Sequence, residues 1–198
     1  PSIVWEQRWN NRVTSSVSAD FTDASGKYKF RYRRLLPSGE VAWDTTAVRQ
    51  NGDIQSYRVE ATIFGNTSDG TWNAKAYYYD SERGIPGAIV NNVWKHAQRQ
   101  WDKNFFLQGY WSKYVSEKYR FQVSGKFALD RMRYLNPDSA LMYQDNRFNQ
   151  KELYLSIAHY YEILPNWQVN ISADYQYNTL DASLTNFPYP QRHTLLTA

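Results

Sequence analysis

Cysteine is absent from the 198-residue sequence, methionine occurs twice and histidine three times. Without thiols there is no disulfide framework and no thiolate nucleophile or metal ligand. This does not fix the compartment, because an oxidising location permits disulfides without requiring them. Long apolar runs are also missing. No stretch approaches the roughly 18–20 consecutive apolar residues that a membrane-crossing helix needs, so a bundle of transmembrane helices is excluded. The excess of positive charge is small, with 23 basic against 19 acidic residues, so the placement of charge matters more than its sum.

What the sequence does have is aromatic side chains: 8 Trp, 17 Tyr and 9 Phe, or 17% of the chain, alongside 21% charged residues. Disordered chains are poor in aromatics. A chain that is both aromatic and polar must separate the two characters by position. The separation has period 2, the mark of strands with one apolar face. Odd positions carry the apolar side chains in residues 13–21, 57–63, 105–111, 119–129, 153–161 and 169–177. Even positions do so in residues 72–78 and 27–33, the latter alternating cation and aromatic at Lys27, Tyr28, Lys29, Phe30, Arg31, Tyr32 and Arg33. Each run is about the 9–11 residues that a tilted strand needs to cross a bilayer. Eight strands are predicted, with the start of a ninth at residues 192–198.

The predicted connections alternate in length. Residues 22–26, 66–70, 115–118 and 164–166 are short and rich in turn formers, whereas 35–52, 80–102, 131–150 and 180–191 are long. Outer-membrane barrels are built this way, with short turns at one rim and long loops at the other. Aromatics gather at the strand ends nearest the short turns (Trp72, Trp111, Tyr119 and Trp167), as an amphipathic ring does at headgroup level. The opposite face collects charge. Lys29, Arg31, Arg33, Arg58 and Glu60 are expected to form a ladder of lumen charges, with Asp20 available as a further partner. A nucleic-acid stripe is the weaker reading, because period 2 puts the cations and Tyr28, Phe30 and Tyr32 on opposite faces.

Catalytic signals are weak. His96, His159 and His193 are scattered, and no nucleophile elbow, phosphate loop or zinc-ligand spacing occurs. No enzyme activity, metal or cofactor is expected. Recognition is expected from the long loops, because binding residues concentrate on loops held by a rigid scaffold. The candidates are Asp80, Glu82, Arg83, Trp94, Trp101, Tyr134 and Tyr143. A purely structural role in ordering the loop is an equal reading for Asp80, Glu82 and Arg83.

The order Ser81, Glu82, Arg83, Gly84, Ile85, Pro86, Gly87 after three tyrosines resembles a strand-to-loop segment of TonB-dependent outer-membrane receptors of the cobalamin- or siderophore-receptor kind. Residues 101–109 and 186–193 add to the resemblance, which covers about residues 77–198. It implies a large barrel in the bacterial outer membrane, occluded by a plug domain that TonB rearranges to import a scarce nutrient chelate. The partners implied are outer-membrane lipid, the plug, TonB and a surface lipoprotein. On this reading residues 1–198 are one partial barrel domain, an interior piece of an up-and-down antiparallel transmembrane β-barrel. Two other readings stand beside it: a complete eight-stranded outer-membrane barrel with a structural or adhesive role, and a soluble β-sheet module that binds carbohydrate through its loop tryptophans.

Overall fold

A computed structural model describes residues 1–87, 97–138, 142–184 and 190–198. Its described secondary structure is all strand: β1 (Ser2–Arg8), β2 (Val13–Ala24), β3 (Lys29–Leu35), β4 (Val41–Val48), β5 (Ile54–Asn66), β6 (Gly70–Ile85), β7 (Gln98–Ser116), β8 (Tyr119–Asn136), β9 (Gln144–Leu164), β10 (Trp167–Ala182) and β11 (Gln191–Thr197). Nine of them form one antiparallel sheet in the order β1-β2-β5-β6-β7-β8-β9-β10-β11, and β3 and β4 form a separate two-stranded sheet. Among the described residues the outer edges of β1 and β11 have no strand partner, so the sheet is open.

Two features differ from the pattern read in the sequence. Residues 2–8 are a strand that pairs with β2, Trp5 lying opposite Val17. Residues 29–35 do not join the main sheet at all. The edge of β2 is taken by β5, in register from Val13↔Gly65 to Ala24↔Ile54. The chain between them leaves through a neck where Gly26, at a φ of 55°, lies against Gly52. A Cβ on Gly26 would overlap the Gly52 backbone. Only glycine adopts that conformation and permits that approach at little cost. The first tight turn is therefore residues 9–12, where the Asn10 side chain accepts from the amides of Arg12 and Val13 at 2.8 and 2.9 Å. The remaining tight turns are residues 67–69, 117–118 and 165–166, and the long connections all emerge at the opposite end.

Pairing register sorts the side chains into two faces. One face carries an apolar band: Val17, Ala61, Ala76, Leu107, Phe127, Leu153 and Tyr177 form one continuous cross-strand row. This band is bare. Leu107 is 47% exposed, Leu155 49% and Ile171 60%. The only buried apolar residues among those described are Ala128, Ala158 and Ala182. Among the described residues there is no core of large side chains.

The border of the band is oblique to the strands. Toward the long connections, the first polar residue of this face on β5 is Gln55, which shares a row with Glu82, Trp101, Arg133 and Arg147. On β6, β7 and β8 it is Asp80, Lys103 and Arg131, one row lower. On β9 it is Lys151, opposite Leu129 and lower again. On β2 it is Asp23, in the row of Gln55, and on β10 it is Thr179, in the row of Lys151, so the border moves four residues over the six steps from β2 to β10. At ~3.4 Å per residue and ~4.8 Å between strands, a band lying flat would tilt the strands by about 25°.

Candidate recognition site at the long-connection end

Beyond the apolar band the strands continue, and their side chains become charged. Asp80 on β6 accepts from Lys103 on β7 at 2.9 Å. Glu82 lies opposite Trp101, and its carboxylate pairs with Arg99 at 2.8 Å. Arg99 also reaches Asp53 at 2.9 Å, and the hydrogen bond from Arg99 holds the Asp53 carboxyl below the usual carboxylate range. The Arg133 guanidinium lies over the Trp101 ring, 5.1 Å from its centroid, and bonds Asp145 at 2.8 Å. Arg147 reaches the same carboxylate at 3.1 Å. Hydrogen bonds from Arg133 first, then Arg147, lower the Asp145 carboxyl to about 2.

The candidates proposed from sequence divide between the two faces. Asp80, Glu82 and Trp101 lie on the side that carries the apolar band. Arg83 points to the other side, where it pairs with Asp102 at 3.1 Å while Gln100 donates to the same carboxylate at 2.9 Å. Tyr134 is on that second side, opposite Gln100. Tyr143 precedes β9 and is 61% exposed. Trp94 lies outside the described residues. The stretch from Asp80 to Ile85, read as the start of a loop, is strand, in register with β7 as far as Ile85↔Gln98.

The proposed charge ladder also divides. Arg58 pairs with Asp20 at 2.8 Å, and Glu60 with Lys75 at 2.9 Å, both on the polar face of the main sheet. Lys29, Arg31 and Arg33 instead belong to the β3–β4 hairpin, where Arg31 donates to Asp44 at 2.8 Å. The polar face continues across the sheet without them. Lys126 pairs with Glu152 at 3.0 Å, Asn104 donates to Asp130 at 2.6 Å, and the Tyr154 hydroxyl donates to Asp174 at 2.6 Å. At the short-turn end Trp72 lies opposite Trp111, and Trp111 meets Phe121 edge-on at 5.0 Å. The Tyr119 hydroxyl and His159 Nδ1 are 2.6 Å apart, and Trp167 is 63% exposed.

Sequence reasoning missed the segment that holds the open end of the β6–β7 hairpin. Asn51, at a φ of 58°, donates from its amide to the carbonyls of Ile85 and Gln98 at 3.0 and 2.7 Å. Arg49 donates to the carbonyls of Pro86 and Gly87. Gly84 donates its backbone amide to the Asp53 carbonyl at 2.8 Å. Nothing in residues 49–53 announces this, because the partners are brought together by the β2–β5 pairing. Among the described residues no three histidines or acids are placed to hold a metal ion. The site is suited to hydrogen bonding and charge pairing with a polar ligand. No family model matches the chain, and no curated protein matches its sequence.

Proposed function

We propose that this chain is part of the wall of an outer-membrane β-barrel, and that the barrel is a TonB-dependent receptor for a scarce nutrient chelate such as cobalamin or a ferric siderophore. The observation that carries the membrane reading is the bare, oblique apolar band. Soluble monomers rarely expose a contiguous apolar patch beyond a few hundred Å², whereas here an apolar band crosses one face of the sheet and, among the described residues, no large apolar side chain is buried. The slope of the band inclines the strands, as barrel closure also does. The other face, with its paired charges, would face the lumen. The absence of large buried apolar side chains among the described residues weighs against a soluble module. The unpaired edges weigh against a complete small barrel, which would need β1 and β11 to pair.

The receptor function itself rests on the resemblance around residues 77–88 and on the polar groups that the lumen side carries at the long-connection end, Arg83, Gln100, Asp102 and Tyr134. The role is binding followed by gated import, with no covalent step. A plug domain, TonB and a surface lipoprotein are its partners. The test is uptake of radiolabelled cobalamin and ferric siderophore by cells that make the intact protein, with and without TonB. TonB-dependent accumulation of either ligand is expected. Failure to bind both would remove this ligand class. Arg83→Ala is expected to weaken binding, and unchanged affinity would take Arg83 out of the site.

A further inference from the structure

At the short-turn end the polar face carries two opposite charges that have no partner. Arg120 on β8 stands directly between Tyr114 on β7 and Tyr160 on β9. Its guanidinium lies 5.7 Å from the Tyr114 ring centroid and 4.2 Å from that of Tyr160. The rings attract the cation, but no carboxylate meets it. Glu162 lies two residues beyond Tyr160 on β9, opposite Gln168. It is therefore a diagonal neighbour of Arg120, ~7–8 Å away between α carbons, yet the two do not pair. Elsewhere on the polar face of β5 to β10 each described charged side chain has an ion pair or a hydrogen bond. The turn between β7 and β8 brings Glu117 and Lys118 beside them, the Glu162 amide donating to the Lys118 carbonyl at 2.8 Å. Among the described residues neither of these side chains holds an ion pair. The four charges surround a depression of about 510 Å³, a size usual for small-molecule sites. The turn at residues 165–166 also lines it, so it opens at the rim of the sheet.

The geometry points to a binding site for a peptide that presents an ammonium and a carboxylate on one carbon, the carboxylate on Arg120 and the ammonium on Glu162. The balance of charge selects this chemistry. Arg120 and Lys118 offset Glu117 and Glu162, so a simple anion meets two carboxylates and a simple cation meets two bases. A zwitterionic centre satisfies both unpaired groups at once. Arginine takes a carboxylate through two parallel N–H bonds. Tyr114 and Tyr160 offer ring surface beside the charges, and Asn166 and Gln168 offer amide hydrogen bonds to a peptide backbone. An amino acid alone leaves these groups unused. The source of the peptide rests on the barrel reading proposed above, in which the tight turns face the periplasm. Cross-linking peptides of the cell wall present this chemistry there, at the free centre of a diamino acid. The rim pocket thus tethers the barrel to the wall.

The test is calorimetric titration of the intact protein in detergent with a cell-wall tripeptide ending in diaminopimelate. The same tripeptide is used with its free centre either N-acetylated or amidated, and free diaminopimelate is the fourth ligand. The uncapped tripeptide should bind, and each cap should weaken it about tenfold or more. Arg120→Gln should weaken the tripeptide and erase the effect of amidation, while Glu162→Gln should erase the effect of acetylation. A loss of fold would not sort the two caps between the two variants. No binding, or equal affinity for capped and uncapped peptide, would overturn the proposal. So would free diaminopimelate that binds as tightly as the tripeptide, which would mean that only an amino acid is read. Heat-dependent electrophoretic mobility is followed alongside. A heat shift without discrimination among the peptides removes the site alone, whereas discrimination without a heat shift keeps the peptide site and removes the barrel reading.

Discussion

Replacing Ile157 by arginine separates a lipid-facing sheet from a water-facing one. On β9, Ile157 lies midway between Lys151, the first charge above the band, and Ile163 near the tight turn. Leu153 lies four residues from Ile157 on the same face. At ~3.4 Å per residue and a tilt of about 25°, that places Leu153 roughly 12 Å nearer the interface. The two side chains are almost equally exposed, Ile157 at 41% and Leu153 at 36%. In water, exchanging either should change stability by no more than about 0.5 kcal/mol. In a bilayer, arginine at the midplane costs about 2–4 kcal/mol and near the interface about 0–1. Ile157→Arg should therefore cost several times more than Leu153→Arg. Ser156→Arg, one residue away on the polar face and in the same row as Asp174, should be tolerated. The assay is reversible denaturant unfolding of the intact protein in lipid vesicles, followed by tryptophan fluorescence. Equal small penalties at positions 157 and 153 would refute the assignment of this face to lipid, however well the protein folds.

Three further outcomes follow from named contacts. Lys75→Ala breaks the Glu60 pair on the polar face and should cost under about 1 kcal/mol, whereas Ala76→Lys puts the same charge on the apolar band and should cost about 2–4 kcal/mol; the same unfolding assay compares them, and similar losses would show that the two faces are not distinguished by lipid. Folding favours ionised Asp145, so its contribution is full above a pH of about 4 and disappears as pH falls from there through about 2. The Ser183 amide, which donates to the Arg147 carbonyl at 2.9 Å, should lose hydrogen-exchange protection over that window, and constant protection down to pH 2 would contradict the pairing. Gly84→Ala would set a Cβ 2.7 Å from the Asn51 carbonyl oxygen, an overpacking that should cost about 1–3 kcal/mol; it should appear as faster exchange of the backbone amide at position 84, and unaltered exchange would mean that the contact yields freely.

Much of the wall is legible in the sequence because its signal is local. In β5 to β10 each alternate residue reports its own face, and the tight turns after Asn66, Ser116 and Leu164 use turn-forming chemistry. Period 2 does not say which strand a run pairs with, however. Residues 27–33 alternate as cleanly as β5 does, yet the strand they enter, Lys29–Leu35, pairs with β4 and not with β2. The strand at Ser2–Arg8 is short, and Val4 breaks its alternation, so its period carries little weight. The site was less legible for the same reason. Glu82 and Arg83 are neighbours in sequence and read as one cluster, but adjacent strand residues point to opposite faces. Arg99, Asp53 and Asn51 enter through long-range register, which no local pattern encodes. The slope of the apolar band is invisible too, because it exists only once the strands are aligned.

The neck at Gly26 and Gly52 has a consequence for how this protein can vary. Since β2 and β5 pair directly from Ala24↔Ile54 downward, residues 25–53 are an insertion between two strands that already meet. Doubling the length of such an excursion adds only about 0.6 kcal/mol of closure entropy. The β3–β4 hairpin, with Lys29, Arg31, Arg33 and Arg34, can therefore be lengthened, trimmed or recharged at little cost to the sheet. The exception is the Arg49–Asp53 segment, which is tied to the β6–β7 hairpin. Among relatives of this chain, sequence turnover should concentrate in the hairpin and stop at Arg49, so that the most basic stretch is also the most exchangeable.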